Sequence, residues 1–323
     1  MNKIKIGVLG YANIAKKAII PTVLELPDYF DFVGVATRGA SKSEEITAQT
    51  ASAVYVGYHS LLHNNIIDAI YIPLPNALHF EYVKKALEKG IHVLVEKSLG
   101  CSYDEVSELV AIARENNLAL VENFQFKRHS QLDFLIDKIK SKALGDIRSL
   151  NCYFGFPPFP DKDNIRYKKQ LGGGALLDAG AYTTKITQLI LGDDLKVTAA
   201  HLNSGPNQEV DIWGTAFVEQ QTTGITAALA FGFDHHYQCG VQVWCSKGKI
   251  STNRLFTAPA NYQPIYEIET AEGKQTIKLP PDHHFKNMLI HFFNCVNDDK
   301  LKELENQQNI TQAKLLQSIK DKA

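Results

Sequence analysis

The first third of the chain alternates short apolar segments with helical ones, and this alternation restricts the possible folds more than any other feature. Apolar strands are predicted at residues 4–9, 32–36, 69–72 and 92–95, with helical patterns between them. Strands that are apolar on both sides are typical of a parallel sheet with helices on both faces. We therefore predict an α/β domain of the doubly wound Rossmann type over residues 1–122, with its ligand at the carboxyl ends of the strands.

Beyond residue 122 the pattern changes to runs rich in Val, Thr, Phe and Tyr, separated by turn residues such as Thr223-Gly224 and Lys247-Gly248. Such runs indicate antiparallel strands joined by hairpins. The sequence thus predicts a second, α+β domain over residues 123–323 with a large, mostly antiparallel open sheet. We expect this domain to bind the substrate and to mediate oligomerisation.

The composition argues against several classes of function. The 34 Lys and Arg residues nearly balance 35 Asp and Glu residues, so we expect no binding surface for nucleic acid or acidic membranes. No apolar run is long enough to cross a bilayer, and the first residues show a strand pattern rather than a signal peptide. The five cysteines are scattered and odd in number, which is typical of reduced thiols. We expect a cytoplasmic protein.

A turn with a partial glycine motif, Gly10-Tyr11-Ala12-Asn13-Ile14-Ala15, lies between the first predicted strand and the first helix. In dinucleotide-binding folds this turn reads G-x-G-x-x-G, and here alanine replaces the second and third glycines. Small residues at these positions still permit the backbone to approach a pyrophosphate closely. We predict that Gly10, Ala12, Asn13 and Ile14 bind a dinucleotide, and the alternative is an ordinary strand-to-helix turn.

The end of the second predicted strand indicates which dinucleotide is bound. Folds that bind NAD usually carry Asp or Glu at this point to hold the ribose 2′-hydroxyl. The chain instead has Thr37-Arg38, followed by Lys42. These groups suit a 2′-phosphate, which a guanidinium can bind through two parallel hydrogen bonds. NADP(H) is therefore the predicted cofactor, with a solvated basic loop as the alternative.

Two further segments carry reactive side chains. Val95-Glu96-Lys97-Ser98 ends a buried strand, which directs Lys97 toward the expected position of a nicotinamide. The run Gly172-Gly173-Gly174 precedes a helix whose first turns carry Asp178 and Tyr182, one turn apart and hence on one face. An ammonium can stabilise a developing oxyanion and a phenol can donate a proton, so these positions predict a catalytic site.

Together, the phosphate turn, Glu96-Lys97 and the glycine-rich helix resemble the glucose–fructose oxidoreductase / inositol dehydrogenase / rhizopine catabolism family, over essentially the whole chain. Within that family the chain is most similar to the NDP-hexose 3-ketoreductases of deoxysugar biosynthesis. Ser98 stands where the family has a proline after the lysine. The other segments that carry the resemblance are residues 71–79, 122–126, 129–131, 154–158, 163–167 and 231–235.

The resemblance implies NADP-dependent hydride transfer to or from a sugar carbonyl or hydroxyl. Lys97 would stabilise the oxygen, Tyr182 would donate the proton, and Asp178 would orient a sugar hydroxyl or the tyrosine. Further cofactor contacts are implied for Leu74, Asn76, His79 and Glu96, although His79 could instead only cap or pack. Substrate contacts are implied for Asn123, Arg166, Tyr167, Asp178, Phe233 and His235.

Three functions stay open at this point. The first is a ketoreductase of a nucleotide-linked sugar, and the second is a dehydrogenase of free sugars or dihydrodiols, which shares the same motifs. The third is a non-catalytic NADP-binding sensor, which would not need the proton donor Tyr182. We expect no metal site, because the adjacent pairs His235-His236 and His283-His284 have no convergent third ligand.

The strands predicted for the second domain carry apolar residues on both sides. Trp213 and Phe217 share one strand parity, and so do Val241 and Val243. Because helices can cover only one face of this sheet, an apolar face is left in need of a partner. We predict a homodimer or a dimer of dimers formed by sheet-to-sheet pairing, as the resemblance also implies.

Overall fold

The structure is a computed structural model in which two compact units are resolved. The described residues are 2–63, 66–206 and 208–323. Residues 285–310 belong to the first unit, although the sequence analysis assigned them to the second domain. They join the first unit because Met288, Phe292 and Cys295 are buried in its core. The units comprise residues 1–123 with 285–310, and residues 124–284 with 311–323.

The first unit is built on a parallel sheet. Within the described ranges its six strands are β1 (Ile4–Leu9), β2 (Phe30–Thr37), β3 (Ala53–Val56), β4 (Ala69–Ile72), β5 (His92–Val95) and β6 (Leu120–Glu122). Their order is β3-β2-β1-β4-β5-β6, so the predicted Rossmann fold is confirmed. The strand order reverses between β1 and β4, and the crevice at this switch point is where such sheets bind ligands.

The helices of the first unit before residue 123 follow the strands one by one. They are α1 (Ile20–Leu24), which continues a π-helical turn at Ala15–Ile19, α2 (Ser43–Thr50), α3 (Tyr58–Leu62), α4 (Asn76–Glu88) and α5 (Tyr103–Glu115). The start of α5 shows why such segments are helical. The hydroxyl of Ser102 accepts a hydrogen bond from the N–H of Glu105 at 3.3 Å, and Glu105 Oε2 accepts one from the N–H of Cys101 at 2.7 Å. This reciprocal capping satisfies backbone groups that the first turn leaves without partners.

The second unit is built on a larger sheet and on helices that include α6 (Ser130–Lys140) and α7 (Ala181–Leu191), the latter preceded by a π-helical turn at Leu176–Gly180. Residues 311–323 at the end of the chain also belong to it, with Leu315, Leu316 and Ile319 buried in its core. Within the described residues the eight strands are β7 (Ile147–Gly155), β8 (Leu195–Asn203), β9 (Trp213–Gln220), β10 (Thr226–Gly232), β11 (Gln238–Cys245), β12 (Gly248–Thr252), β13 (Ile265–Thr270) and β14 (Gly273–Lys278). Their order is β14-β13-β12-β11-β7-β10-β9-β8. Among the described strands of this sheet only β7 and β10 pair in parallel, so the mostly antiparallel open sheet is confirmed.

The two faces of this sheet differ in their exposure to solvent. Val241 and Val243 are fully buried on the face that packs in the core of the unit. On the opposite face, Phe217 is 53% exposed and Trp244 is 60% exposed. The alternation follows from the two-residue period of a strand. Of the apolar residues that predicted an open face, Phe217 therefore lies on it, whereas the two valines do not.

Two C-terminal helices complete the chain, α8 (His284–Asn297) and α9 (Asp299–Lys322). No helix among the described residues is long and apolar enough to cross a membrane. A cytoplasmic location stays a prediction.

Candidate functional site

The predicted phosphate turn is held between β1 and the Leu74 loop of the first unit. Gly10 has a φ of +113°, and a Cβ atom there would lie 2.8 Å from Leu74 Cδ2. Its N–H donates to the carbonyl of Ala36 at 2.8 Å, which ties the turn to the end of β2. Asn13 and Ile14 begin the helix, and the carbonyl of Ala12 accepts from the N–H of Lys16 at 3.0 Å. The turn therefore requires glycine at position 10 and presents a helix start beside it, which is the arrangement that binds phosphate.

Thr37 and Arg38 lie at the end of β2, as predicted. The Thr37 hydroxyl donates to the carbonyl of Gly39 at 2.8 Å, so the threonine shapes the loop. Burial raises the pKa of Tyr58. The positive charge of the nearby Arg38 guanidinium acts against this rise. No carboxylate among the described residues forms an ion pair with Arg38. The guanidinium is thus available to an anionic ligand.

His79 fastens the Leu74 loop to the end of β5. Its ring is fully buried, with Nδ1 2.7 Å from the carbonyl oxygen of Ser98 and Nε2 2.8 Å from that of Leu74. Burial lowers the pKa of His79 to about 4, and the charge of Lys97 contributes to the same direction. Both ring nitrogens contact backbone carbonyls, so His79 connects the Leu74 loop to Ser98 and holds the predicted cofactor loop in place. Asn76, also predicted to contact the cofactor, is the first residue of α4.

Glu96 links three neighbouring strands at the carboxyl edge of the first sheet. Its Oε1 accepts hydrogen bonds from the Tyr71 hydroxyl and from Asn123 Nδ2, both at 2.6 Å. Desolvation raises the pKa of Glu96 above its usual range, against the opposite effects of these two bonds and of Lys97. Asn123 is fully buried, and none of the described groups donates to its Oδ1. An orphaned acceptor at this edge is available to the amide or hydroxyl of a ligand.

Arg166 and Asp178, both predicted from the sequence, form an ion pair in the second unit. Arg166 Nε donates to Asp178 Oδ2 at 2.6 Å. The Asp178 side chain is only 14% exposed, and the guanidinium carbon of Arg166 lies 4.8 Å from the ring centre of Phe159. The glycine run allows the backbone of Arg166 to lie close to it, since a Cβ atom on Gly173 would be only 2.4 Å from the carbonyl oxygen of Arg166. The pair fixes the direction of the carboxylate.

Tyr182 lies in the first turn of α7, with its ring 7% exposed. Four phenylalanine rings surround it, with centroid distances between 5.2 and 5.8 Å: Phe124, Phe126, Phe154 and Phe256. Phe124 and Phe154 pack edge to face against Tyr182 and the other two rings are tilted, and together these contacts restrict the orientation of the phenol. Tyr182 belongs to the second unit and Lys97 to the first.

The remaining predicted substrate residues lie at one end of the large sheet. The Tyr167 hydroxyl accepts from the N–H of Phe159 at 3.0 Å, and the ring of Tyr167 lies 6.2 Å from that of Phe233. Phe233 is fully buried, so its side chain supports this aromatic cluster. His235 lies against two glycines of the sheet, because Cβ atoms on Gly155 and Gly232 would approach its side chain to 2.8 and 2.7 Å.

Asp211 was missed by the sequence analysis, although it holds the start of the helical segment that carries Asp178 and Tyr182. Its Oδ2 accepts from the N–H of Leu176 at 2.6 Å, and its backbone carbonyl accepts from the N–H of Ala175 at 2.8 Å. Burial raises the pKa of Asp211, and the Leu176 bond acts in the opposite direction. An aspartate 35 residues from its partner leaves no signal in the local pattern.

Two family models match the chain. Residues 4–124 match the oxidoreductase family with NAD-binding Rossmann fold, GFO_IDH_MocA, and residues 135–251 match the GFO/IDH/MocA C-terminal domain. The matches cover the N-terminal α/β sheet and the first part of the large sheet.

Curated relatives and solved structures agree with this match. The dTDP-3,4-didehydro-2,6-dideoxy-α-D-glucose 3-reductase of Saccharopolyspora spinosa is 36% identical over 90% of this chain and 86% of its own. KijD10, a 3-ketoreductase from Actinomadura kijaniata solved with NADP and TDP-benzene, is 34% identical with a TM-score of 0.95 over 100% of this chain and 98% of its own. A D-xylose 1-dehydrogenase (NADP(+)) of Haloferax volcanii is 25% identical over 98% of this chain and 96% of its own.

Proposed function

Because this chain belongs to the Gfo/Idh/MocA family of oxidoreductases, we propose that it is an NADP(H)-dependent 3-ketoreductase of a nucleotide-linked deoxysugar. The observation that carries the proposal is the similarity over nearly the full length to 3-reductases of dTDP-linked keto sugars. The structure solved with NADP and TDP-benzene supports the same substrate class, since the chain matches it from end to end.

The residues of the first unit fit the proposed cofactor. A pyrophosphate would lie at the Gly10 turn, where the N–H groups near Ala12, Asn13 and Ile14 at the start of the helix would bind it. Arg38, which forms no ion pair with a carboxylate of the described residues, would hold the 2′-phosphate together with Thr37. The Leu74 loop, Asn76 and Glu96 would contact the nicotinamide half.

When bound, NADPH supplies a hydride to the carbonyl carbon of the substrate. The carbonyl oxygen then gains negative charge, which the Lys97 ammonium would stabilise electrostatically. Tyr182 would donate its phenolic proton to this oxygen, so that a secondary alcohol forms. Asp178, held by Arg166 at 2.6 Å, would accept a hydrogen bond from a sugar hydroxyl and so orient the ring.

The remaining proposed substrate contacts are the residues that the sequence named for this role. Asn123 Oδ1 would accept from a ligand hydroxyl or amide, since no described residue does so. Arg166, Tyr167 and His235 would contact the sugar, and Phe233 would support them from the core.

The main alternative is a dehydrogenase of a free sugar, which the similarity to the D-xylose 1-dehydrogenase favours. A dihydrodiol dehydrogenase is a variant of it, because trans-1,2-dihydrobenzene-1,2-diol dehydrogenase of Xenopus laevis matches 49% of the chain. A non-catalytic sensor is less well supported, since it would not require a proton donor such as Tyr182.

The test is oxidation of NADPH against a panel of dTDP-linked keto sugars, with reduction of NADP⁺ by free pentoses and dihydrodiols measured in parallel. We expect turnover with a nucleotide-linked 3-keto sugar and little with the free compounds. Turnover confined to a free sugar or a dihydrodiol would transfer the assignment to the alternative. Binding of NADPH without turnover of any panel member would favour the sensor.

We also infer a homodimer or a dimer of dimers. The open face of the large sheet exposes Phe217 and Trp244, two large apolar side chains whose burial against a partner would be favourable. A second copy of the same sheet, related by a two-fold axis, would cover both residues in both copies.

A further inference from the structure

Arg254 lies between two tyrosine rings in the second unit. Its guanidinium carbon is 5.3 Å from the ring centre of Tyr237 and 5.6 Å from that of Tyr262. Two aromatic faces restrict the side chain and leave the planar guanidinium edge as its binding surface. The Tyr237 hydroxyl is itself fixed, 2.8 Å from the hydroxyl of Thr257.

Apart from the two tyrosine rings, no described side chain offsets the charge of Arg254. Its Nε is buried, and among the residues that the structure describes nothing accepts a hydrogen bond from this atom. No described carboxylate forms an ion pair with it, in contrast to Arg166, which binds Asp178 at 2.6 Å. A buried guanidinium N–H without an acceptor is costly, so an anionic ligand is the natural partner.

The position of Arg254 connects it to the proposed reaction. The N–H of Leu255 donates to the carbonyl of Cys239 at 3.0 Å, which fastens this loop to β11. Phe256, two residues further, lies with its ring 5.5 Å from that of Tyr182. Consecutive Cα atoms are about 3.8 Å apart, so Arg254 is within the length of a nucleotide-linked sugar from the proposed proton donor.

We propose that Arg254 binds the diphosphate of a nucleotide-linked substrate, with Tyr237 and Tyr262 holding the guanidinium in place. The inference deepens the proposed function and rests on it, since it assigns the diphosphate subsite of the same substrate. The planar guanidinium would donate two parallel hydrogen bonds to one phosphoryl group. A side chain already held between two rings loses little freedom on binding, which favours affinity.

The experiment measures binding of dTDP and of thymidine by calorimetry, with the full-length protein saturated with NADPH. Arg254→Gln should weaken dTDP binding about 10- to 100-fold, the usual effect of losing charge-assisted hydrogen bonds. Arg254→Lys should fall between, because an ammonium keeps the charge and loses the planar donors. Binding of thymidine, which has no phosphate, should change less than twofold in either variant.

Two controls separate the outcomes. Arg148→Gln removes an exposed arginine of β7 and should leave dTDP binding unchanged. NADPH affinity, measured separately, should also be unchanged in Arg254→Gln, which would exclude the phosphates of the cofactor as the ligand. If Arg254→Gln does not fold, Arg254→Lys and Tyr262→Ala test the same contact.

If the wild-type protein binds dTDP and the Arg254→Gln variant binds it with an affinity within twofold of the wild-type value, this inference is overturned. The proposed function is not affected by that outcome. A wild-type protein that binds NADPH and turns over a free sugar but does not bind dTDP would overturn the nucleotide-linked substrate as well. An Arg254→Gln effect confined to NADPH would assign the arginine to the cofactor and contradict the proposal.

Discussion

The carboxylate of Asp211 occupies the space that Gly174 leaves without a side chain. A Cβ atom on Gly174 would lie 2.3 Å from Asp211 Oδ1, and Gly174 itself has a φ of +119°. The other carboxylate oxygen caps the N–H of Leu176 at 2.6 Å. The aspartate and the glycine therefore set the start of the helical segment that presents Asp178 and Tyr182.

Asp211→Ala should loosen this helix start. Loss of a capping carboxylate costs about 0.5–2 kcal/mol of stability, and a shift of catalytic groups by 1 Å can cost on the order of 10²-fold in rate. We expect kcat to fall by about tenfold or more, with the Kd for NADPH unchanged. Asp211→Asn keeps an oxygen acceptor and should retain most of the activity.

The matched control for Asp211 is Asp194→Ala. Asp194 also caps a turn, through Gln221 and Thr222 at 2.8 and 2.7 Å, but it is exposed. Urea unfolding and steady-state kinetics on both variants compare the two sites. Equal kcat in Asp211→Ala and Asp194→Ala would show that Asp211 stabilises the fold without affecting the proposed reaction.

Tyr182→Phe should lower kcat about 10²- to 10⁴-fold, the usual contribution of general acid catalysis. The four rings around Tyr182 should keep the phenylalanine in place, so NADPH binding and thermal stability should change little. Lys97→Ala should also lower kcat, because the developing oxyanion loses its cation. Tyr153→Phe, on a half-exposed tyrosine of β7, is the control. Near-normal turnover of Tyr182→Phe would mean that another group donates the proton.

Arg38→Ala should weaken NADPH binding by about 1.5–3 kcal/mol, the contribution of a hydrogen bond to a charged group. NADH lacks the 2′-phosphate, so its binding should be nearly unaffected. Fluorescence titration of both cofactors against wild type and variant checks this. Tighter binding of NADH than of NADPH by the wild-type protein would contradict the predicted cofactor.

Acid should destabilise the protein through His79. Its pKa is about 4 in the folded protein, against an ordinary value of 6.5. Between these two values the unfolded chain binds more protons than the folded one, so the free energy of unfolding falls as the pH decreases through this window. The contribution of His79 should be about 3 kcal/mol, present above pH 6.5 and lost by pH 4.

Urea denaturation at several pH values between 7 and 4 measures this dependence. His79→Gln should be less stable than wild type at pH 7 and should lose less stability on acidification. His201→Gln, on an exposed histidine of β8, is the control. An unchanged pH dependence in His79→Gln would assign the effect to other buried histidines, such as His284.

Trp244→Glu should shift the protein toward the monomer. Trp244 is 60% exposed on the open face of the large sheet, where a carboxylate would oppose burial against a second copy. Leu304→Glu changes an apolar residue of α9 that is 48% exposed and should leave the mass unchanged. Light scattering over micromolar concentrations measures both. A wild-type protein that is monomeric throughout would contradict the predicted assembly.

The sequence alone determined the fold class of the first unit, although it did not predict β3 and β6. The nearly continuous apolar runs at β1, β4 and β5 are typical of strands covered by helices on both faces, so a parallel Rossmann sheet follows from local patterning. Family motifs likewise singled out Gly10, Lys97 and Tyr182 as proposed site residues, a prediction that the experiments above would test. Strand β14 escaped prediction because nearly all its residues are exposed and polar, so it has no hydrophobic period.

The tertiary structure decided which distant residues meet. Residues 285–310 join the first unit through apolar side chains that would suit either core, and only packing selects one. Asp211 reaches Leu176, and Arg254 enters the space between Tyr237 and Tyr262, because the strand pairings of the large sheet bring separate loops together. Contacts of this kind depend on sheet register and loop course, which arise from the whole fold and leave no period in the local sequence.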